Sequence, residues 1–138
     1  MSQNYANHKR FHPIFHFLVI PVITLCLIVS LYACYQTQNP VYALVFLSFF
    51  LLLLIGIMAR TFALKVQDRA IRAEESLRYF ILARKPLPSD LQLGQILAIR
   101  FASDEEYLSL IDHAIAKHLS PDEIKKAIKN WREDDHRI

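Results

Sequence analysis

A chain of 138 residues with 54% hydrophobic and 21% charged side chains, a net charge of +3 and two glycines has averages that suit one small soluble domain. The charges are unevenly placed: residues 14–59 hold no Lys, Arg, Asp or Glu, and all 16 basic and 13 acidic side chains lie outside that stretch. This pattern excludes a soluble enzyme built on one ordinary core, and no residue set in it names a reaction.

Residues 1–13 form a short tail of net +2, from Lys9 and Arg10. Residues 14–59 then hold two apolar runs, 14–35 and 41–59, separated by the polar Gln36, Thr37, Gln38, Asn39 and Pro40. At about 1.5 Å per helical residue, each run reaches the ~30 Å of a bilayer's hydrocarbon core. So short a link makes the two helices antiparallel neighbours, a transmembrane hairpin, and Pro40 cannot continue the first. Pro21 is expected to kink the first helix. Basic residues flank the hairpin on one side only, so both termini are expected in the cytoplasm of a bacterial inner-membrane protein, with residues 36–40 outside. The run is too long for a cleaved signal peptide. Leu31, Tyr32, Ala33 and Cys34 loosely match a lipoprotein box, against which the bulky Tyr32 and the long run both argue. Cys26 and Cys34 stand ~12 Å apart along a helix, beyond disulfide reach. With no ionisable residue in either span a transporter is disfavoured, and Thr24, Ser30 and Ser48 read as small helix-contact residues. The competing reading is an oligomeric channel or transport accessory lined by those three hydroxyls.

The second helix has no stop signal at Ala59, and residues 60–84 lack Gly and Pro, so a rod of roughly 65 Å over 41–84 is expected, with 60–85 as a cytoplasmic stalk. Ala59, Ala63, Val66, Ala70, Ala73, Leu77 and Phe80 recur at spacings of four and three, a candidate interaction seam. Two occupants suit it. A second parallel copy would let Arg69 pair with Glu74 across the seam; alternatively the chain's own C-terminal helices fill it, with Leu64 and Ile71 as a second apolar edge. The stalk carries net +4 over residues 60–85. Arg60, Lys65, Arg69 and Arg72 are candidate lipid-headgroup contacts, each worth about 1 kcal/mol near an anionic surface. The basic residues are spread around the helix and mixed with acids, so nucleic acid is not an expected partner.

Residues 86–138 are expected to form a helical cap. Pro86 and Pro88 break the rod. A short helix follows over about 91–101. Ser103 with Glu106 reads as a capping box opening a helix to about residue 119, and Ser120, Pro121 and Glu123 open another that sets Ile124, Ala127, Ile128 and Trp131 on one face. So short a region cannot bury an adequate core alone and must dock, most naturally on the stalk, whose +4 opposes the −3 of residues 103–138. Asp104, Glu105 and Glu106 suit the positive end of a helix, and Asp134, Asp135 and His136 a solvated tail.

His8, His12 and His16 have the four-residue spacing of metal-binding helices and are weak metal candidates, since Pro13 interrupts them and no nearby residue completes a site. Nucleotide, hydrolase, thiol-redox and metalloprotease motifs are absent from the sequence. No cofactor, small-molecule substrate or enzymatic activity is expected. The expected partners are the bilayer and either the chain itself or another membrane protein.

The strings NYANHKR at 4–10, ARTFALKVQDRAIRAEE at 59–75, IRFASDEE at 99–106 and KAIKNWR at 126–132 resemble an uncharacterised Bacteroidetes-type bacterial family of small two-span membrane proteins. The resemblance implies a bacterial inner-membrane protein and carries no active-site residues. The fold class that follows is all-α: a membrane hairpin, a cytoplasmic stalk continuing its second helix, and a small bundle of short helices.

Overall fold

The computed structural model describes Tyr5 and residues 12–133. It is all-helical, with a π-helical segment Ile14–Val19 followed by α1 (Ile20–Thr37), α2 (Pro40–Ala83), α3 (Leu93–Ile99), α4 (Asp104–Ala116) and α5 (Pro121–Ala127). The described residues divide into two compact units, one over 12–64 and the other over 65–133 together with Tyr5.

In the first unit the expected kink at Pro21 takes the form of a change in helix type. Pro21 lies in the first turn of α1, directly after the π turn, where the Ile20 N–H reaches back to the Phe15 carbonyl. A proline ring presses on the carbonyl four residues earlier, here Phe17, and a widened turn relieves that crowding. The expected five-residue link shrinks to Gln38 and Asn39. Thr37 stays helical, with its hydroxyl donating to the Ala33 carbonyl at 2.8 Å, and Gln38 turns left-handed at φ 52° while its N–H donates to the Cys34 carbonyl. Pro40, read from sequence as a terminator, instead opens α2 behind Asn39, whose Oδ1 accepts the Val41 N–H at 3.0 Å. Two helices joined by two residues form the predicted hairpin.

The 44 residues of α2 are one unbroken helix, as the composition predicts. It ends where Arg84 turns left-handed at φ 56°, two residues before Pro86.

In the second unit α3 is shorter than expected. It opens with a capping box the sequence reading missed, in which Gln95 Oε1 accepts the Gln92 N–H at 2.9 Å. Gln95 Nε2 also donates to the Leu119 carbonyl at 2.8 Å, tying α3 to the turn after α4. That turn is a Schellman close: His118 is left-handed at φ 50° and the Leu119 N–H reaches the Ala114 carbonyl at 3.0 Å. Helix α4 therefore stops at Ala116 rather than near residue 119. The Ser120 box forms as predicted: Ser120 Oγ accepts the Glu123 N–H, and Glu123 Oε2 accepts the Ser120 N–H at 2.8 Å.

The box expected at Ser103 and Glu106 does not form. Ser103 caps α4 by backbone alone, and the Glu106 carboxylate accepts the N–H groups of Lys129 and Asn130 at 3.2 and 2.9 Å, bracing the segment after α5. That segment is extended from Ile128, so Trp131 does not share a helical face with Ile124. It reaches the core through a bridge between Ala102 and Trp131, with the Ser103 N–H on the Asn130 carbonyl and the Arg132 N–H on the Phe101 carbonyl. Trp131 then packs against Phe101, ring centroids 5.3 Å apart and planes tilted by 33°. Around these contacts lies the core, whose largest fully buried side chains are Tyr107, Phe101, Ile99, Ile111 and Ile124.

Candidate interaction face of the long helix

One row of α2, Ile71, Glu75 and Tyr79 at successive four-residue steps, is buried, and Tyr79 belongs to the hydrophobic core of the second unit. Arg78 beside it is the main polar joint. Its Nε donates to Asp104 Oδ1 at 2.8 Å, its Nη2 donates to the Ala102 carbonyl at 2.7 Å, and its Nη1 lies 3.3 Å from Glu75 Oε2. The guanidinium also covers the Tyr107 ring at 4.1 Å, and the Tyr107 hydroxyl donates to the Glu75 carbonyl at 3.2 Å. Burial, then the nearby Glu75 charge, push the Tyr107 hydroxyl's pKa well above the usual tyrosine range. Docking of the cap on the stalk, with an ion pair across it, thus takes the form the opposite charges suggested. Sequence reasoning missed Arg78 and Glu75 as its centre, because a charged pair within an apolar row reads as a solvated face.

The seam is elsewhere. Residues two apart on a helix point about 200° from each other, so Ala73 and Leu77 face away from Ile71 and Glu75. Ala59, Ala63, Val66, Ala70, Ala73, Leu77 and Phe80 are all exposed, Val66 at 66%, Leu77 at 60% and Phe80 at 50%. The cap therefore occupies the Ile71 face and leaves the seam exposed, with Leu77 and Glu74 at the edge of an open cleft that Asp104 and Arg132 complete. Arg69 and Glu74 are exposed on its flanks, and neither makes an ion pair among the described residues.

The other sequence candidates scatter. Arg60 lies over the Phe15 ring at 5.4 Å, whereas Lys65, Arg69 and Arg72 line, with Asp68 and Leu93, an open cleft of about 330 Å³. The acidic trio divides its work, Asp104 to Arg78 and Glu106 to the chain after α5. His12 Nδ1 accepts the Phe15 N–H at 3.4 Å, and His16 packs edge-on to Phe15. His8, Lys9, Arg10, Asp134, Asp135 and His136 lie outside the described residues. Thr24, Ser30 and Ser48 donate to the carbonyls of Ile20, Leu27 and Leu44 in their own helices. Cys26 and Cys34 are free thiols. One contact had no sequence signal: the Tyr5 hydroxyl donates to Asp122 Oδ1 at 2.8 Å while Lys126 Nζ pairs with Asp122 Oδ2 at 2.7 Å. The Lys126 ammonium, then the Tyr5 hydroxyl, hold the Asp122 carboxyl below its usual range.

These features define an all-helical protein with two helices long and apolar enough to cross a membrane, and a helical cap docked on one face of the second. The chain belongs to the family of unknown function DUF6526, whose profile spans residues 1–138. Neither the curated proteins nor the solved structures contain a match to it.

Proposed function

We propose that this is an integral protein of the bacterial cytoplasmic membrane, both termini cytoplasmic, acting as a structural and interaction component that associates with itself or serves as an accessory subunit of a larger membrane complex. The observation carrying the reading is the uncovered apolar surface of the hairpin. Phe17, Leu18, Leu25, Ile28, Leu31, Leu44, Leu51 and Ile55 are 48–73% exposed. Apolar area left in water forgoes about 25 cal/mol per Å², a penalty that hydrocarbon removes. Beyond its first turn a helix satisfies its backbone N–H groups internally, which is the condition for entering lipid. The uncharged turn at Gln38 and Asn39 is the end that crosses readily, and the basic residues after Ala59 hold the other end inside. Arg60 and Lys65, nearest the apolar span, then meet the headgroup region.

Topology labelling tests this. In a C26S/C34S background, single cysteines Gln38→Cys and Glu74→Cys are expressed in intact cells and treated with a membrane-impermeant maleimide. Labelling of Gln38→Cys alone, with the chain resisting alkaline carbonate extraction, is expected. Extraction into the soluble fraction, or labelling of Glu74→Cys before lysis, overturns it.

A further inference from the structure

Resting on the membrane-anchored reading, we propose that the open face of α2 is covered by a second copy of this chain, forming a parallel, in-register two-stranded stalk. Val66, Ala70, Ala73, Leu77 and Phe80 meet their counterparts, and Arg69 of each copy pairs with Glu74 of the other.

Three observations choose this occupant. The face carries large apolar side chains as well as alanines: Val66, Leu77 and Phe80, flanked by Phe62 at 57% and Ile81 at 58% exposure. The chain's own cap, the natural competitor, is held on the Ile71 and Tyr79 side by the Arg78 joint and reaches the seam only at its edge, where Glu74, Leu77 and Ile81 line an open cleft with Asp104 and Arg132. The charges fit the same face on another copy. With Ala70 and Leu77 at the first seam position, Arg69 stands just before one and Glu74 just after the intervening Ala73, the five-residue offset across which parallel helices exchange ion pairs.

Each copy supplies both signs, so one dimer makes two such pairs with no foreign charge. An antiparallel pairing would set Arg69 against its own side of the seam and leave Glu74 unmatched. Two copies entering the cytoplasm from one membrane in one orientation also project their stalks in the same direction. Ala70 and Ala73 allow close backbone approach, and Leu77 and Phe80 bury the larger area below them.

The test uses the full chain in native membranes, in a C26S/C34S background. Single cysteines at Ala70→Cys and Ala73→Cys are expected to form a disulfide-linked dimer under mild oxidation, and Arg72→Cys, off the seam, is expected to give at least about tenfold less. In the Ala73→Cys chain, Arg69→Glu or Glu74→Arg alone is expected to lower the dimer fraction, and the double reversal to restore it; Leu77→Glu is expected to abolish it. Equal cross-linking at all three positions, no dimer at Ala70→Cys and Ala73→Cys, a product of mass other than twice the chain, or failure of the double reversal to restore the dimer each overturns the proposal. Impermeant labelling at Gln38→Cys, run in parallel, reports insertion alone, so failure to dimerise is distinguished from failure of the membrane reading.

Discussion

Arg78 donates through Nη2 to the carbonyl of Ala102 at 2.7 Å, joining a turn of the long helix to the loop between α3 and α4 across 24 residues of sequence. The same guanidinium neutralises Glu75, whose side chain is 9% exposed beside an Arg78 side chain at 10%. Removing one member of so buried a pair leaves the other charge uncompensated, at a cost of about 3 kcal/mol. Arg78→Ala is therefore expected to loosen the cap by about that amount. Arg78→Lys is expected to fall between, since an ammonium keeps the charge but cannot hold Asp104, Ala102 and Glu75 with one planar fork. Trp131, the single tryptophan, packs against Phe101 in the cap, so its fluorescence during denaturant titration checks both variants.

At Ser120 the capping box makes a pH-dependent contribution. The Ser120 hydroxyl and then its N–H hold the Glu123 carboxyl below its ordinary value of 4.5. A depressed folded-state pKa gives stability that is full above the ordinary value and is lost as pH falls through the folded one. Ser120→Ala is expected to cost about 1 kcal/mol at neutral pH and to flatten the acid limb of the stability curve below about pH 5. Helicity and Trp131 fluorescence, followed against pH in both proteins, check the difference in slope.

Much of this architecture was legible in residue pattern. The lack of charge from 14 to 59, the absence of Gly and Pro from 60 to 84 and the Ser120-Pro121-Glu123 start each depend on local chemistry, and each element formed. What failed to show locally was decided by distant partners. Ser103 and Glu106 carry the same motif as Ser120 and Glu123, yet Glu106 is drawn off by N–H groups 23 and 24 residues away. The Ile71 face was masked by Glu75 and Arg78, which read as solvent-facing until Asp104, Ala102 and Tyr107 are brought to them. The seam was legible as a stripe. Which face the cap would take was not, because both rows have helical spacing and only the Arg78 contacts separate them.

Tyr107 gives the alkaline counterpart. Its hydroxyl is buried, donates to the Glu75 carbonyl, and has a pKa raised above the usual 10.0. A raised folded-state value means that stability is full below the unfolded pKa and is lost as pH rises above it toward the folded value. Spectrophotometric titration is expected to show Tyr107 ionising only as the cap unfolds. Tyr107→Phe should diminish that delayed phase, soften the loss of stability above about pH 10, and cost about 1 kcal/mol at neutral pH by removing the hydrogen bond that the hydroxyl adds to a carbonyl within α2.

Gly94 sets the approach of α3 to α5. A Cβ at Gly94 would stand 3.1 Å from Pro121 Cγ, tighter than ordinary van der Waals contact. Elsewhere in a helix, Gly→Ala gains up to about 1 kcal/mol of propensity. Here the Pro121 ring opens a helix fixed by the Ser120–Glu123 box and by fully buried Ile124, so it yields only if α5 shifts as a body. Gly94→Ala is therefore expected to forfeit the propensity gain and come out neutral to about 1 kcal/mol destabilising. Gly94→Val, with two further methyls driven into the same space, is expected to cost about 2–3 kcal/mol. Denaturant midpoints of the two variants, read at Trp131, check the ordering; an Ala variant more stable than the native chain would mean that the α3–α5 spacing is not set by this contact.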